Sequence, residues 1–407
     1  RRVVVTGLGA VTPLGNDLAT SWQAALRGEC GIDTVTQFDA SILGSQIAGE
    51  VKNFDATKYL GVKEVRRFDR FVHFGVAAGI MALEDAGIEV TEELSPEIGV
   101  AIGAGIGGIP VITANYQAMV DRGPRRISPF MIPGCIINMV SGQLAIMKNL
   151  KGPNIAHVTA CSTGLHAIGE AMHMIKRGDA TVMVAGGCES TIHPLAMGAF
   201  DAMHALSRRN DDPKTASRPF DKDRDGLVVG EGAGTLVLES LSHAKARGAR
   251  IYAEVLGFGE NSDGVHITTP QSEQMGRAME LALEDAGIRP EDVDCVNGHG
   301  TATDRGDVAE SHATARVFGD RVPYTTYKGH MGHTLGACGA LEAIFALRSM
   351  EEGFVSPILN LKEPDPACAN LQYVRDAVRS LEQNVIVSNN FAFGGINTSL
   401  IFGRYKE

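Results

Sequence analysis

A ten-residue phrase occurs twice in this chain, two hundred positions apart: M-A-L-E-D-A-G-I-E-V at Met81–Val90 and L-A-L-E-D-A-G-I-R-P at Leu281–Pro290. Seven of the ten residues are identical. Each copy closes an amphipathic helix with Asp-Ala-Gly, where glycine supplies the left-handed residue that stops the helix. The match continues beyond each copy: a short acidic turn, then an apolar strand, I-G-V-A-I-G-A-G in one place and V-D-C-V-N-G-H-G in the other. Two copies are too few for a solenoid. The expected architecture is two related α/β halves packed together.

Other short β-branched runs bounded by glycine support this: R-R-V-V-V-T-G, A-T-V-M-V-A-G-G, A-G-T-L-V-L-E-S and V-I-V-S-N-N-F-A-F-G-G. Helical patterns lie between them, as where Leu165, Ile168, Met172 and Ile175 fall at helical spacing. Alternating strand and helix predicts an α/β fold whose sheet is covered on its faces. The most polar stretch, Ser207–Gly226, reads as a surface excursion. The chain of 407 residues is 44% hydrophobic and 21% charged, the balance of a soluble globular enzyme with a large core. No apolar run reaches the length of a membrane span. The first residues, R-R-V-V-V-T-G-L-G, read as a strand and not as a targeting segment. A net charge of −11 argues against a non-specific nucleic-acid binder. Seven cysteines, an odd count with no C-x-x-C, predict neither a disulfide framework nor a structural zinc site. They fit a reducing, cytoplasmic compartment.

Four motifs carry chemistry. Gly103–Gly108, G-A-G-I-G-G, contains G-x-G-x-x-G after a strand, but Pro110 follows at once, so a tight turn is expected in place of a dinucleotide loop. K-G-H-M-G-H holds His330 and His333 at H-x-x-H spacing, without the further ligands that would complete a metal set. N-G-H-G-T-A-T-D-R-G-D places His299 between two glycines at a strand end. T-A-C-S-T-G sets Cys161 between a strand and a helix, with small neighbours Ala160, Ser162 and Gly164. A helix N-terminus is expected to lower that thiol's pKa. The arrangement follows the nucleophile elbow without its G-x-S-x-G signature. A papain-like protease would want one histidine and an orienting Asn or Asp. One cysteine, two histidines on glycine-rich turns, Lys328 and the strand end F-A-F-G-G suit a different chemistry, in which a thioester carbonyl is held while negative charge develops on it.

Five ordered motifs are specific in combination: T-A-C-S-T-G, S-R-P-F-D-K-D-R-D-G-L-V-V-G-E-G-A-G, V-N-G-H-G-T-A-T-D-R-G-D, K-G-H-M-G-H-T-L-G-A-C-G-A-L-E and N-N-F-A-F-G-G-I-N. Through them the chain resembles, nearly end to end, the β-ketoacyl-acyl carrier protein synthases, elongating enzymes of the thiolase superfamily. The resemblance implies a five-layered αβαβα sandwich of two duplicated halves. Residues 1–249 would carry the nucleophilic cysteine and 250–407 the two histidines, integrated as one domain. It implies a decarboxylative Claisen condensation in fatty-acid elongation. Cys161 would take an acyl chain from the carrier's phosphopantetheine arm. His299 and His333 would bind the thioester carbonyl of malonyl-carrier protein and stabilise the enolate formed as CO2 leaves. The backbone N–H groups of Cys161 and Phe393 would form the oxyanion hole. Lys328 would orient the site with Glu342 or Glu310 as partner. Thr301 and Thr303 would lie near the malonyl group and pantetheine, and Phe393 would gate the site. Ile106 and Phe200 would line the acyl pocket, with Met131 near its dimer-side end. Neither a metal nor a cofactor beyond the carrier's own arm is implied. Lys63, Arg66, Arg67, Arg125 and Arg126 match a docking patch for the acidic acyl carrier protein. The expected assembly is a homodimer, or a heterodimer with a chain-length-factor-like subunit, with no nucleic-acid or membrane partner.

The chain departs from the family pattern at several points. His204 replaces an arginine, Asp304-Arg305 an apolar pair, Ala392 a glycine in the gating loop, Ile396 a threonine and Met131 an aromatic residue. Ala392 is expected to restrict the gate, because alanine at positive φ is costly. These changes leave chain-length preference open, with a polyketide or polyene ketosynthase as the alternative. Retention of Cys161, His299, His333 and Lys328 weighs against a non-catalytic chain-length factor.

Overall fold

The computed structural model describes residues 1–406. In chain order its principal strands are β1 (Val3–Val11), β2 (Ile98–Gly103), β3 (Asn154–Ile155), β4 (Val182–Glu189), β5 (Gly232–Ser240), β6 (Ala253–Ser262), β7 (Cys295–Asn297), β8 (Pro323–Thr325), β9 (Gln372–Tyr373), β10 (Val385–Ala392) and β11 (Ile396–Gly403). The principal helices are α1 (Arg70–Ala86), α2 (Ile109–Arg122), α3 (Thr163–Arg177), α4 (Ser272–Ala286), α5 (Asp304–Phe318) and α6 (Cys338–Glu352). The strands are ordered β9-β8-β7-β10-β11-β6-β1-β5-β4-β2-β3.

This order contains one plan twice. β1 and β4 each run antiparallel to β5, and β2 and then β3 add in parallel beyond β4. β6 and β10 each run antiparallel to β11, and β7 and then β8 add in parallel beyond β10. The halves join where β1 meets β6, through Val4 opposite Glu254 and Val5 opposite Ala253. Helices α3 and α6 pack against each other between the two half-sheets, α1 covers the outer face of β1 and β5, and α4 and α5 cover the opposite outer face. The result is five layers of the thiolase type.

Strand periodicity builds the cores. Met183 and Ala185 of β4 point to the central core with Leu165, Ile168 and Met172, whereas Val182 and Val184 point to the outer core with Phe71 and Val76. In β11, Leu400 and Phe402 join the central core and Ile401 the far outer core with Met279. With both faces buried, these strands read as continuous apolar runs.

The repeated phrase has a physical cause. Gly7 and Gly9 of β1 lie against the backbone of Ala82 and Ala78, and Gly257 and Gly259 of β6 lie against Ala282 and Ala278. No Cβ fits at any of the four. Asp85 accepts the Leu8 N–H at 2.8 Å, and Asp285 accepts the Phe258 N–H at 3.0 Å. The pairing of β1 and of β6 slips just before Gly7 and Gly257, at Thr6 and Leu256, and the aspartates tie down the strand just beyond each slip. Helices α1 and α4 then stop at Gly87 and Gly287, with φ of 61° and 65°.

Two local expectations need correction. Ser207–Gly226 is not a surface excursion: Arg218, Phe220 and Asp221 are buried. The Asp221 carboxylate accepts Arg218 Nε and the N–H groups of Asp223, Lys362 and Glu363, so a charged sequence becomes an internal clasp. After G-A-G-I-G-G a helix does follow, because Pro110 sits in the first turn of α2, where its missing N–H costs nothing. All seven cysteines are free thiols. No helix among the described residues is long and apolar enough to cross a membrane.

Candidate active site

Cys161 sits on a single turn, Ala160–Ser162, directly before α3. Ala160 holds a left-handed φ of 49°, a strained conformation for a residue with a Cβ. Ser162 Oγ donates to the carbonyls of Asn390 and Ile396, tying the turn to the other half of the molecule. Against the expectation that the helix N-terminus lowers the thiol pKa, burial dominates and pushes Cys161 up to about 12. The Lys328 ammonium and the N–H groups of Phe393 and Cys161 pull it back, while the Glu189 charge adds to the rise. The same two N–H groups therefore face the sulfur.

His299 follows β7 between Gly298 and Gly300. A Cβ on Gly298 would overlap the Tyr324 hydroxyl, and Gly300 has φ 48°. The loop hangs on two buried carboxylates one turn apart on α5. Glu310 accepts the N–H groups of His299 at 2.6 Å and Gly300 at 2.8 Å, and Asp307 accepts those of Ala302 at 3.1 Å and Phe220 at 2.7 Å. His333 ends a short turn at Gly332, φ 74°.

The hydrogen bonds assign both imidazole tautomers. His299 Nδ1 faces two donors, Asn390 Nδ2 at 2.9 Å and Lys328 Nζ at 3.2 Å. His333 Nδ1 accepts the Leu335 N–H at 3.2 Å. With Nδ1 accepting, each ring carries its proton on Nε2. His333 Nε2 lies 3.1 Å from Cys161 Sγ, so it donates to the sulfur. Burial, then the Lys328 charge, holds both histidines well below the ordinary range, so they are neutral near pH 7. Cys161, His299 and His333 cluster within 4.8 Å, as metal ligands would, but a protonated Nε2 offers no lone pair to a metal.

Lys328 bonds Glu342 and the His299 carbonyl, at 2.6 Å for the latter. Burial is the largest single influence and lowers its pKa, but the Glu342 carboxylate, with Cys338 and Glu310, together outweigh burial and keep the ammonium charged. Glu342, and not Glu310, is thus its partner. Asn390, which the motif reading did not single out, bridges Glu342 at 3.1 Å to His299. Its signal is the second asparagine of N-N-F-A-F-G-G.

Cys161, His299 and His333 open into one cavity lined also by Thr301, Thr303, Phe200 and Phe393. Thr301 and Thr303 join through their hydroxyls at 2.8 Å. Phe393, 38% exposed, stands at the mouth. Ala392 does not restrict the gate as expected. It ends β10 paired with Ile396, and the positive φ values fall on Gly394 and Gly395. Ile106 and Met131 are not brought into this cavity. Ile106 is exposed on the turn after β2, and Met131 lines a separate groove with Arg66, Arg67 and Phe130. Lys63, Arg66 and Arg67 are exposed on the helix Val62–Arg67, and Arg125 and Arg126 on the turn Pro124–Arg126. The Arg67 guanidinium lies 4.1 Å over the Phe130 ring, which connects the helix to the segment just after Arg126.

Comparison with known proteins gives a consistent picture. Residues 1–244 match the family described as Beta-ketoacyl synthase, N-terminal domain, and residues 252–362 match its C-terminal domain. A 3-oxoacyl-[acyl-carrier-protein] synthase 2 from Vibrio harveyi is 48% identical over 413 aligned positions, covering 100% of this chain and 99% of that one. A crystal structure of a beta-ketoacyl synthase from Burkholderia phymatum superposes with a TM-score of 0.95 at 43% identity, over 100% of both chains. A type II polyketide acyl-carrier protein in complex with its hexaketide-bound ketosynthase matches with a TM-score of 0.92 at 30% identity, again over 100% of both chains.

Proposed function

Since the chain belongs to the beta-ketoacyl synthase family, we infer that it is a 3-oxoacyl-acyl carrier protein synthase: it condenses an acyl thioester with malonyl-acyl carrier protein, releasing CO2, in fatty-acid elongation. Identity of 48% with an elongating synthase, against 30% with a polyketide ketosynthase, leaves the polyketide alternative unfavoured. The reading needs no resident cofactor, because acyl groups arrive on the carrier's phosphopantetheine.

In the first step Cys161 Sγ attacks the acyl thioester. The tetrahedral oxyanion takes the N–H groups of Cys161 and Phe393, and the thiol proton leaves with the pantetheine sulfur. Losing one such donor costs about 3–4 kcal/mol in the transition state. In the second step the malonyl thioester oxygen accepts the Nε2–H of His299 and of His333. The bond to the carboxylate breaks, CO2 leaves, and the electron pair becomes an enolate on that oxygen. In the third step the enolate carbon attacks acyl-Cys161, and collapse of the oxyanion releases Cys161 as a thiolate, which takes up one proton from solvent to restore the thiol. The observation that carries this reading is the pair of neutral histidines, each with Nδ1 occupied and its proton on Nε2; that of His333 meets Cys161 Sγ in the resting site and turns to the malonyl carbonyl once the sulfur is acylated. Thr301 and Thr303 suit the pantetheine side, Phe200 the acyl side and Phe393 the gate.

Lys63, Arg66, Arg67, Arg125 and Arg126 form the docking surface for the acidic carrier in this reading. Ile106 and Met131 reach the acyl chain only if a second copy completes the pocket. A homodimer is supported by α2, whose Ile112, Tyr116 and Val120 expose an apolar stripe at four-residue spacing, and by β3, a two-residue strand at the sheet edge. Residues 1–249 and 250–407 act as two halves of one cytoplasmic enzyme.

The test is direct. Acyl-carrier proteins of graded length, saturated and polyunsaturated, are added first, then malonyl-carrier protein, with intact-mass readout. An acyl adduct on the parent, absent in Cys161→Ala, and a 3-oxoacyl product are expected. No adduct with any chain sinks the reading.

A further inference from the structure

G-A-G-I-G-G resembles an anion-binding loop, and the structure shows what fills it. The Glu189 carboxylate at the end of β4, fully buried, accepts the N–H of Gly105 at 2.7 Å, Ile106 at 3.2 Å and Gly107 at 3.1 Å. Successive N–H groups of this kind form a nest that binds anions. A fourth N–H comes from elsewhere in the chain: Gly336 donates at 3.1 Å. Gly336 is so close to Gly105 that a Cβ there would overlap the Gly105 nitrogen. One carboxylate thus pins two turns, one after β2 and one before α6, and the first of them packs at Gly105 against the backbone carbonyl of Ala160, the residue before Cys161.

We propose that Glu189 is a positioning residue of the condensing site, fixing the turn on which His333 keeps its Nε2 proton aimed at Cys161. The connection runs through two residues. Gly336 is held by Glu189, and the preceding Leu335 stands at φ 51°, a left-handed conformation that a leucine keeps only when its surroundings impose it. The Leu335 N–H is the donor that occupies His333 Nδ1. If the turn relaxes, that donor leaves and the histidine loses the bond that selects its tautomer. The charge has a second effect. The titratable groups that feel it are the thiols of Cys161 and Cys188, and it raises both. Burial pushes Glu189 itself up to about 7, against the pull of its four N–H donors.

The inference rests on the condensing reading, and two variants separate them. Glu189→Gln removes the charge and sets an NH2 group against N–H donors. Glu189→Asp keeps the charge but shortens the reach. Two readouts are taken: malonyl-carrier decarboxylation, and the pH profile of Cys161 alkylation by iodoacetamide, located by mass. Both variants are expected to lose about 10- to 100-fold in decarboxylation. Only Glu189→Gln should move the alkylation profile to lower pH, because only it removes the opposing charge. If the Gln variant does not fold, reduced decarboxylation with an unmoved profile in Glu189→Asp carries the point. Decarboxylation at the parent rate in a folded variant overturns the proposal. So does alkylation quickened at every pH and at several buried cysteines together, the mark of general unfolding. A parent inert toward malonyl-carrier protein overturns the condensing reading, and this inference with it.

Discussion

A single buried nitrogen, Lys328 Nζ, touches His299 twice and Glu342 once. Replacing it with methionine leaves Glu342 buried without its cation, which is expected to cost about 3–5 kcal/mol in urea unfolding. It also removes the charge that favours the Cys161 thiolate, so iodoacetamide labelling at pH 8 should slow. Adding Glu342→Met should restore most of the stability, since an apolar pair can replace a buried ion pair, but not the labelling rate. Unchanged labelling in the single variant would show that Lys328 does not act on the thiol. Cys161, His299, His333 and Lys328 are legible in the sequence because each sits among small residues that a packed core has no reason to require. Glu189 and Asn390 are not, because their importance lies in which N–H groups and rings meet them across long stretches of chain. The thiol pKa runs opposite to its sequence expectation for a related reason: a helix N-terminus can be read locally, whereas burial cannot.

The elements themselves show how far a repeat can be trusted. The shared A-L-E-D-A-G ends two helices, and its alanines face glycines that carry no signal of their own in the sequence, Gly7 and Gly9 in β1 and Gly257 and Gly259 in β6. Gly7→Ala and Gly257→Ala each force a methyl group onto a helix backbone. Each is expected to lower stability by about 1–3 kcal/mol in thermal or urea unfolding, with the two losses similar in size. A neutral result at one site only would show that the halves do not share this contact. Short elements are less legible. β3 has two residues, and Ala160–Ser162 is one turn, because tertiary contacts shape them more than propensity does. The gate at Ala392 departs from expectation because the sign of φ along a glycine-rich loop depends on where strand pairing ends.

For the whole molecule, charge distribution makes a kinetic prediction. In the proposed reading an enzyme of net charge −11 draws an acidic carrier to one basic face. Reversing Arg66 and Arg67 to glutamate should raise KM for acyl-carrier protein by about tenfold or more and flatten its salt dependence, while KM for a small acyl-pantetheine thioester stays put. Equal effects on both substrates would place docking elsewhere. Tyr116→Glu, on the apolar stripe of α2, should shift light-scattering mass from two copies to one. A parent that already sediments as a monomer would refute the dimer.

The join between the halves has one more consequence. Cys161, the proposed nucleophile, reaches the cavity from the first half and both imidazoles from the second, while the backbone pairing between β1 and β6 is two residues long. A chain cut between Ser240 and Ala253 would place sulfur and imidazole on separate fragments. Neither fragment alone could turn over, so product formation in a mixture would count reassembled molecules. The reaction centre is therefore a built-in reporter of complementation.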